Sequence, residues 1–251
     1  IMHKNIIVVV GHGSRVQKSN KDLENFIKEF QKRIPERDVR FSYVELAQPE
    51  FKNSLEKASS EAKEVTILPL FLLTAGHIKH DIINAVESAC QKFPEVKFKI
   101  ASALGVHDNM AQLVHKRLKE SAVMLPRKSL KTSILMIGRG SSDPDANSDF
   151  CKIVRLVEEG MPYNRIAYCF IAVVRPKVEE VLERLIQEKP EAILIQPYLI
   201  FSGLLFGFSI TRIIIFSIFL YLVSKYLNIL PALIKIKISA TTPKAINKPT
   251  A

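Results

Sequence analysis

The sequence predicts an α/β fold made of two parallel-sheet halves related by internal duplication. Two observations carry this. Short β-branched runs alternate with helical patterns through the first half, and a set of Gly and Pro landmarks recurs at a constant spacing of 127 residues. The bulk numbers permit it. A chain of 251 residues makes one large domain or two modest ones, and 47% hydrophobic with 24% charged residues excludes wholesale disorder.

The elements follow in order. Residues 5–10 (NIIVVV) read as the first strand, because they run straight into a Gly-rich turn rather than a secretory cleavage site. A helical pattern covers 19–33, a strand 39–46, a helix 50–62, a strand 64–73, a helix 79–92, a strand 97–103 and a helix 108–122. The runs IIVVV and VTILPLFLL lack polar alternation, as strands covered on both faces do. A strand at 132–137 then restarts the pattern.

Residues 133–142 (SILMIGRGSS) repeat 6–15 (IIVVVGHGSR), with Gly11 on Gly138. The same spacing puts Pro49 on Pro176 and Gly76 on Gly203. The Gly and Pro frame recurs while the reactive groups change: His12 becomes Arg139, Glu45 becomes Ala172 and His77 becomes Leu204. We therefore expect an active half at 1–125 and a second half with a degenerate site at 126–205.

Gly11-His12-Gly13-Ser14-Arg15 sits between the first strand and its helix, where open α/β sheets hold ligand loops. It is not a dinucleotide fingerprint, because Val16 stands at the third glycine position, and no Walker A sequence occurs. Thr74 to Asp81 (TAGHIKHD) follows the third strand, with His77 expected at the strand end and Asp81 in or near the first turn of the next helix. In a flavodoxin-like strand order, 2-1-3-4, the first and third strands are neighbours, so His12 and His77 share one crevice. Two neutral imidazoles with open positions suit Co(II), Ni(II), Fe(II) or Zn(II), and are too few for a tight structural site. Glu45, at the end of the second strand, could support a histidine, accept a proton, ligate metal, or sit at the solvent edge with no role. His107 either lines the crevice or caps the helix from Asp108. His80 and His115 read as helix-surface residues, and His3 is terminal.

Cys90, Cys151 and Cys169 form no C-x-x-C pair and read as free thiols of a reducing compartment, the cytoplasm, or a plastid stroma for a photosynthetic eukaryote. Net charge is +11, but residues 1–205 hold 30 basic and 25 acidic side chains, a net of +5. That suits an acidic ligand. No basic run interleaved with aromatics points to nucleic acid.

GHGSR after a first strand, ELAQP after a second, PLFLLTAGHIKHDI from a third and ALGVH near residue 105 resemble the sirohydrochlorin cobaltochelatase and ferrochelatase family. MIGRGSSDPDANSDFCKIVRL and QPYLIFSGLL resemble the second half of its long two-domain members, and the resemblance covers about residues 5–205. It implies a class II chelatase fold, two flavodoxin-like halves facing a cleft. It implies ATP-independent insertion of a divalent metal, cobalt or iron with nickel as a third candidate, into sirohydrochlorin, with no organic cofactor. By motif position His12 and His77 handle the metal and Glu45 assists. Ser14, Arg15 and Arg139 are candidate contacts to the carboxylates of the macrocycle, and Lys79 is a further cation near that rim. The alternative is a non-catalytic carrier of tetrapyrrole or metal.

Residues 206–251 do not fit. They hold no Asp or Glu and six Lys or Arg, and the stretch 199–223 carries one charge, Arg212. A repeat of the first half calls for helix, strand and helix here, and the pattern shows none of them. The stretch is long enough for a membrane anchor. It could also be a diverged but folded end, or the product of a slipped reading frame.

Overall fold

The computed structural model describes residues 5–73, 76–122, 132–161, 165–200 and 235–238. The first half runs β1 (Asn5–Gly11), α1 (Gln17–Arg33), β2 (Asp38–Tyr43), α2 (Phe51–Glu61), β3 (Glu64–Pro69), α3 (Gly76–Lys92), β4 (Lys97–Ile100) and α4 (Asp108–Ala122). The second runs β5 (Thr132–Gly138), α5 (Pro144–Glu159), β6 (Arg165–Phe170), α6 (Val178–Gln187), β7 (Ala192–Pro197) and β8 (Lys235–Ile238). The two four-stranded sheets have the orders β2-β1-β3-β4 and β6-β5-β7-β8, with every pairing parallel. The strand order expected for the first half is the one found.

Each sheet is sandwiched. Along β1, Ile6, Val8 and Val10 face α2 and α3, whereas Val9 faces α1 through Leu23 and Ile27. This period of two on a strand whose residues 6–10 are all apolar is why no polar alternation is seen in the sequence. In the second sheet, Leu135 and Ile137 of β5 pack on α6 through Val181, Leu182 and Leu185. The opposite face, Ile134 and Met136, is covered by α5 and also by α4 of the first half, through Ala111, Val114 and Leu118. The halves are thus interlocked by a helix. His115 of α4 is not a surface residue: it is half-buried, with its Nε2 2.8 Å from the Val157 carbonyl of α5.

The duplication extends to backbone detail. Gly13 and Gly140 take φ of 92° and 84°, Leu46 and Val173 take φ of 63° and 59°, and the peptide bonds before Pro49 and Pro176 are both cis. Tyr43 N–H donates to Pro49 O and Phe170 N–H to Pro176 O, each at 2.9 Å. The third strand of each sheet departs from this spacing by one residue. Strand register aligns Pro69 with Pro197, since Val10 and Ile137 face them, so β3 and β7 are offset by 128 rather than 127 residues. Gly203, the other member of the Gly76 pair, lies outside the described residues.

Three boundaries also differ. β2 ends at Tyr43, so Glu45 belongs to the following loop. β3 ends at Pro69, and α3 begins at Gly76, which puts His77 in the first helical turn and Asp81 beyond it. Residues 235–238 form the strand that the sequence pattern did not show, paired to β7 as β4 is to β3. No helix among the described residues is long and apolar enough to cross a membrane, and residues 201–223 of the apolar stretch lie outside them.

Candidate functional site

A cavity of about 410 Å³ opens between the halves, at the carboxyl ends of both sheets. The loop after β1 forms one wall with His12, Ser14 and Arg15, and the loop after β5 brings Arg139 and Ser141 to the other. Leu70 to Leu73 after β3, Tyr198 to Ile200 after β7, and Phe150 and Phe170 make an apolar lining.

Both wall loops are held the same way. Glu45 N–H donates to His12 O at 3.1 Å and Ala172 N–H to Arg139 O at 3.0 Å. These approaches leave no room for a side chain: a β-carbon on Gly13 would run into the Glu45 carbonyl, and one on Gly140 into that of Ala172. Asn20 Nδ2 donates to Ser14 O at 2.7 Å, and Asn147 Nδ2 to Ser141 O at 2.8 Å. The Ser14 hydroxyl accepts from Val16 N–H at 3.1 Å, so its role in the loop is at least structural. Sequence reasoning missed the two asparagines, although Ser14/Ser141 and Asn20/Asn147 recur at the spacing of 127.

One loop presents His12, whose Nε2 lies 3.3 Å from Glu45 Oε1, with the side chains 30% and 50% exposed. Glu45 therefore sits at the solvent edge and also beside a histidine, two of the roles left open above. The other loop presents Arg139. Arg139 and Arg15 are exposed at the cavity and form no ion pair among the described residues. His77 is the second residue of α3, the helix that follows β3, the neighbour of β1, and its side chain, like that of Lys79, lies outside the described residues. His80 is exposed. His107 is a cap: its Nδ1 accepts from Asn109 N–H at 3.1 Å, and it does not line the cavity. His3 lies outside the described residues.

Tyr198 is a further residue not foreseen. It is buried against the cavity, its hydroxyl has no hydrogen-bond partner among the described residues, and burial pushes its phenol up to about 12. It stays protonated near neutral pH and is a donor looking for an acceptor.

The CbiX family profile matches residues 6–121 and 133–243. The chain is 32% identical over 203 residues to the sirohydrochlorin ferrochelatase of Bacillus subtilis, covering 80% of this chain and 76% of that protein. It is 33% identical over 202 residues to the sirohydrochlorin cobaltochelatase of Priestia megaterium, covering 79% of this chain and 65% of the relative. Among solved structures, SirB from Bacillus subtilis with Fe3+ superposes with a TM-score of 0.71 at 31% identity, over 83% of this chain and 81% of SirB.

Proposed function

Because the chain belongs to the CbiX family, we propose that it inserts a divalent metal, Co2+ or Fe2+, into sirohydrochlorin without ATP. The observation that carries this reading is His12, paired with Glu45, on the wall of an apolar cavity that also bears two guanidinium groups with no ion pair among the described residues. A tetrapyrrole has apolar faces and an anionic edge. Its faces suit the lining from Leu70 to Leu73 and from Tyr198 to Ile200, and its carboxylates suit Arg15 and Arg139, with Ser14 beside them.

Metal insertion exchanges two pyrrole protons for one divalent ion. The chain must strip water from the ion, present it to one ring face and remove both protons. In this reading His12 and His77 bind the incoming metal as neutral imidazoles. Glu45, beside His12, orients that ring, and once the ion has passed to the macrocycle the freed imidazoles of His12 and His77 take up one pyrrole proton each, the imidazolium of His12 being stabilised by Glu45. We assign the chemistry to residues 1–125 and macrocycle recognition to the second half, which includes β8. The cytoplasm or a plastid stroma, both reducing, would keep Cys90, Cys151 and Cys169 as the free thiols they are.

The test is spectrophotometric. The purified protein is mixed with sirohydrochlorin and Co2+ or Fe2+, without oxygen or ATP, and the macrocycle's absorption is followed. A shift faster than the spontaneous reaction is expected, and its loss in His12→Ala and in His77→Ala. Wild-type rates in both variants would refute the assignment. Absence of any catalysed shift would refute the activity.

A further inference from the structure

The helix that carries His77 begins at Gly76, so its first-turn N–H groups form the positive end of the helix dipole in the same turn as the histidine. No acidic residue of α3 lies in that turn. A carboxylate is supplied from the other half instead. A β-carbon placed on Gly76 would lie 3.4 Å from Asp143 Oδ2, and Gly76 immediately precedes His77.

Asp143 is firmly held. Its N–H donates to the Ser141 hydroxyl at 3.0 Å, and its Oδ1 caps α5 by accepting from Asp145 N–H at 3.0 Å. With one carboxylate oxygen fixed as a cap, the geometry aims the other at α3. The duplicated position in the first half is Val16, which caps α1 with no side-chain bond. The framework is the same in both halves, so the carboxylate is an addition peculiar to the second.

We propose that Asp143 is a positioning residue for His77. Each metal-handling histidine then has its own carboxylate, Glu45 for His12 within the first half and Asp143 for His77 from across the cleft. The second half thereby contributes to metal handling and is more than a substrate wall. This rests on His77 handling the metal.

The experiment compares Asp143→Asn with wild type and with His77→Ala, measuring KM for Co2+, KM for sirohydrochlorin and thermal stability. Asparagine caps a helix as well as aspartate, so α5 and the melting temperature should be unchanged. The expected result is a rise of about tenfold in KM for Co2+, the scale of lost outer-shell support at metal sites, with KM for sirohydrochlorin within about twofold. A Co2+ titration of the protein alone, followed by the visible bands of the bound ion, should show the same weakening. An unchanged KM for Co2+, or an equal rise for both substrates, overturns the proposal. Wild-type metal affinity in His77→Ala would overturn it too, and would show that the reading of His77 had failed rather than that of Asp143 alone.

Discussion

Glu45 and His12 stand 3.3 Å apart with half or more of Glu45 in water. An exposed pair of this kind contributes about 0–1 kcal/mol to stability. Any large effect of changing it must therefore lie in the chemistry. Glu45→Gln should lower turnover by roughly 10–100-fold, the cost of losing an outer-shell partner, while the melting temperature moves by no more than about 4 °C. Steady-state rates and a thermal melt check both halves of that statement; an unchanged rate would leave Glu45 a solvent-edge residue. The thiols differ from one another in the same local way. Cys169 is buried and its thiol is pushed up to about 12 by burial, whereas Cys90 is exposed. The thiolate is the reactive form, so alkylation at pH 8 should label Cys90 readily and leave Cys169 untouched in the native protein. Peptide mapping after labelling tests this.

Among elements, the helix α4 is the instructive case. Its His115 ring is pinned by Nε2 to Val157 O and lies where a β-carbon on Gly160 would be. Gly160 has φ of −98°, which any residue can adopt, so its role is room for the ring and not backbone freedom. Gly160→Ala should destabilise by about 1–3 kcal/mol through overpacking, and His115→Ala should remove most of that penalty in the double variant. Additive losses in denaturant melts would contradict the contact. Nothing in the sequence revealed this neighbour, because α4 is amphipathic whichever sheet it covers. Local pattern did reveal the elements themselves: the helix expected at 108–122 is found at those residues, and the strand expected at 97–103 begins where it should. The strand ends were less legible. The run 67–73 is apolar throughout, so periodicity could not tell that pairing stops at Pro69 and that Leu70 to Leu73 turn away to line the cavity. Past Tyr43 the apolar Val44 and Leu46 flank Glu45 as they would in a strand, so the sequence marks no strand end there either. His12, Ser14, Arg15 and Arg139 were legible as cavity residues because Gly-flanked loops after parallel strands have one place to go. Asp143 was not, since its relation to α3 exists only between the halves.

For the molecule as a whole, the packing of α4 on the second sheet decides how the halves behave. Each half has its own sheet, and two independent halves would unfold in two steps. However, Ala111, Val114 and Leu118 of the first half are at most 5% exposed, packed with Ile134, Met136 and Leu194 of the second. The α5–α4 contact through His115 adds to the same seam. Unfolding the first half alone would strip a helix from the second sheet and expose apolar area worth about 25 cal/mol per Å², a loss comparable with the whole stability of a small half-domain. A single calorimetric transition is therefore expected. Leu118→Ala should cost about 2–5 kcal/mol and lower that transition as a unit, by roughly 2–4 °C per kcal/mol, without splitting it. Two resolved transitions in the wild-type protein would mean that α4 is a superficial contact. In that event, the coupling of Asp143 to the first half would have to be sought in the cleft alone, because the seam would no longer hold the two wall loops at a fixed separation.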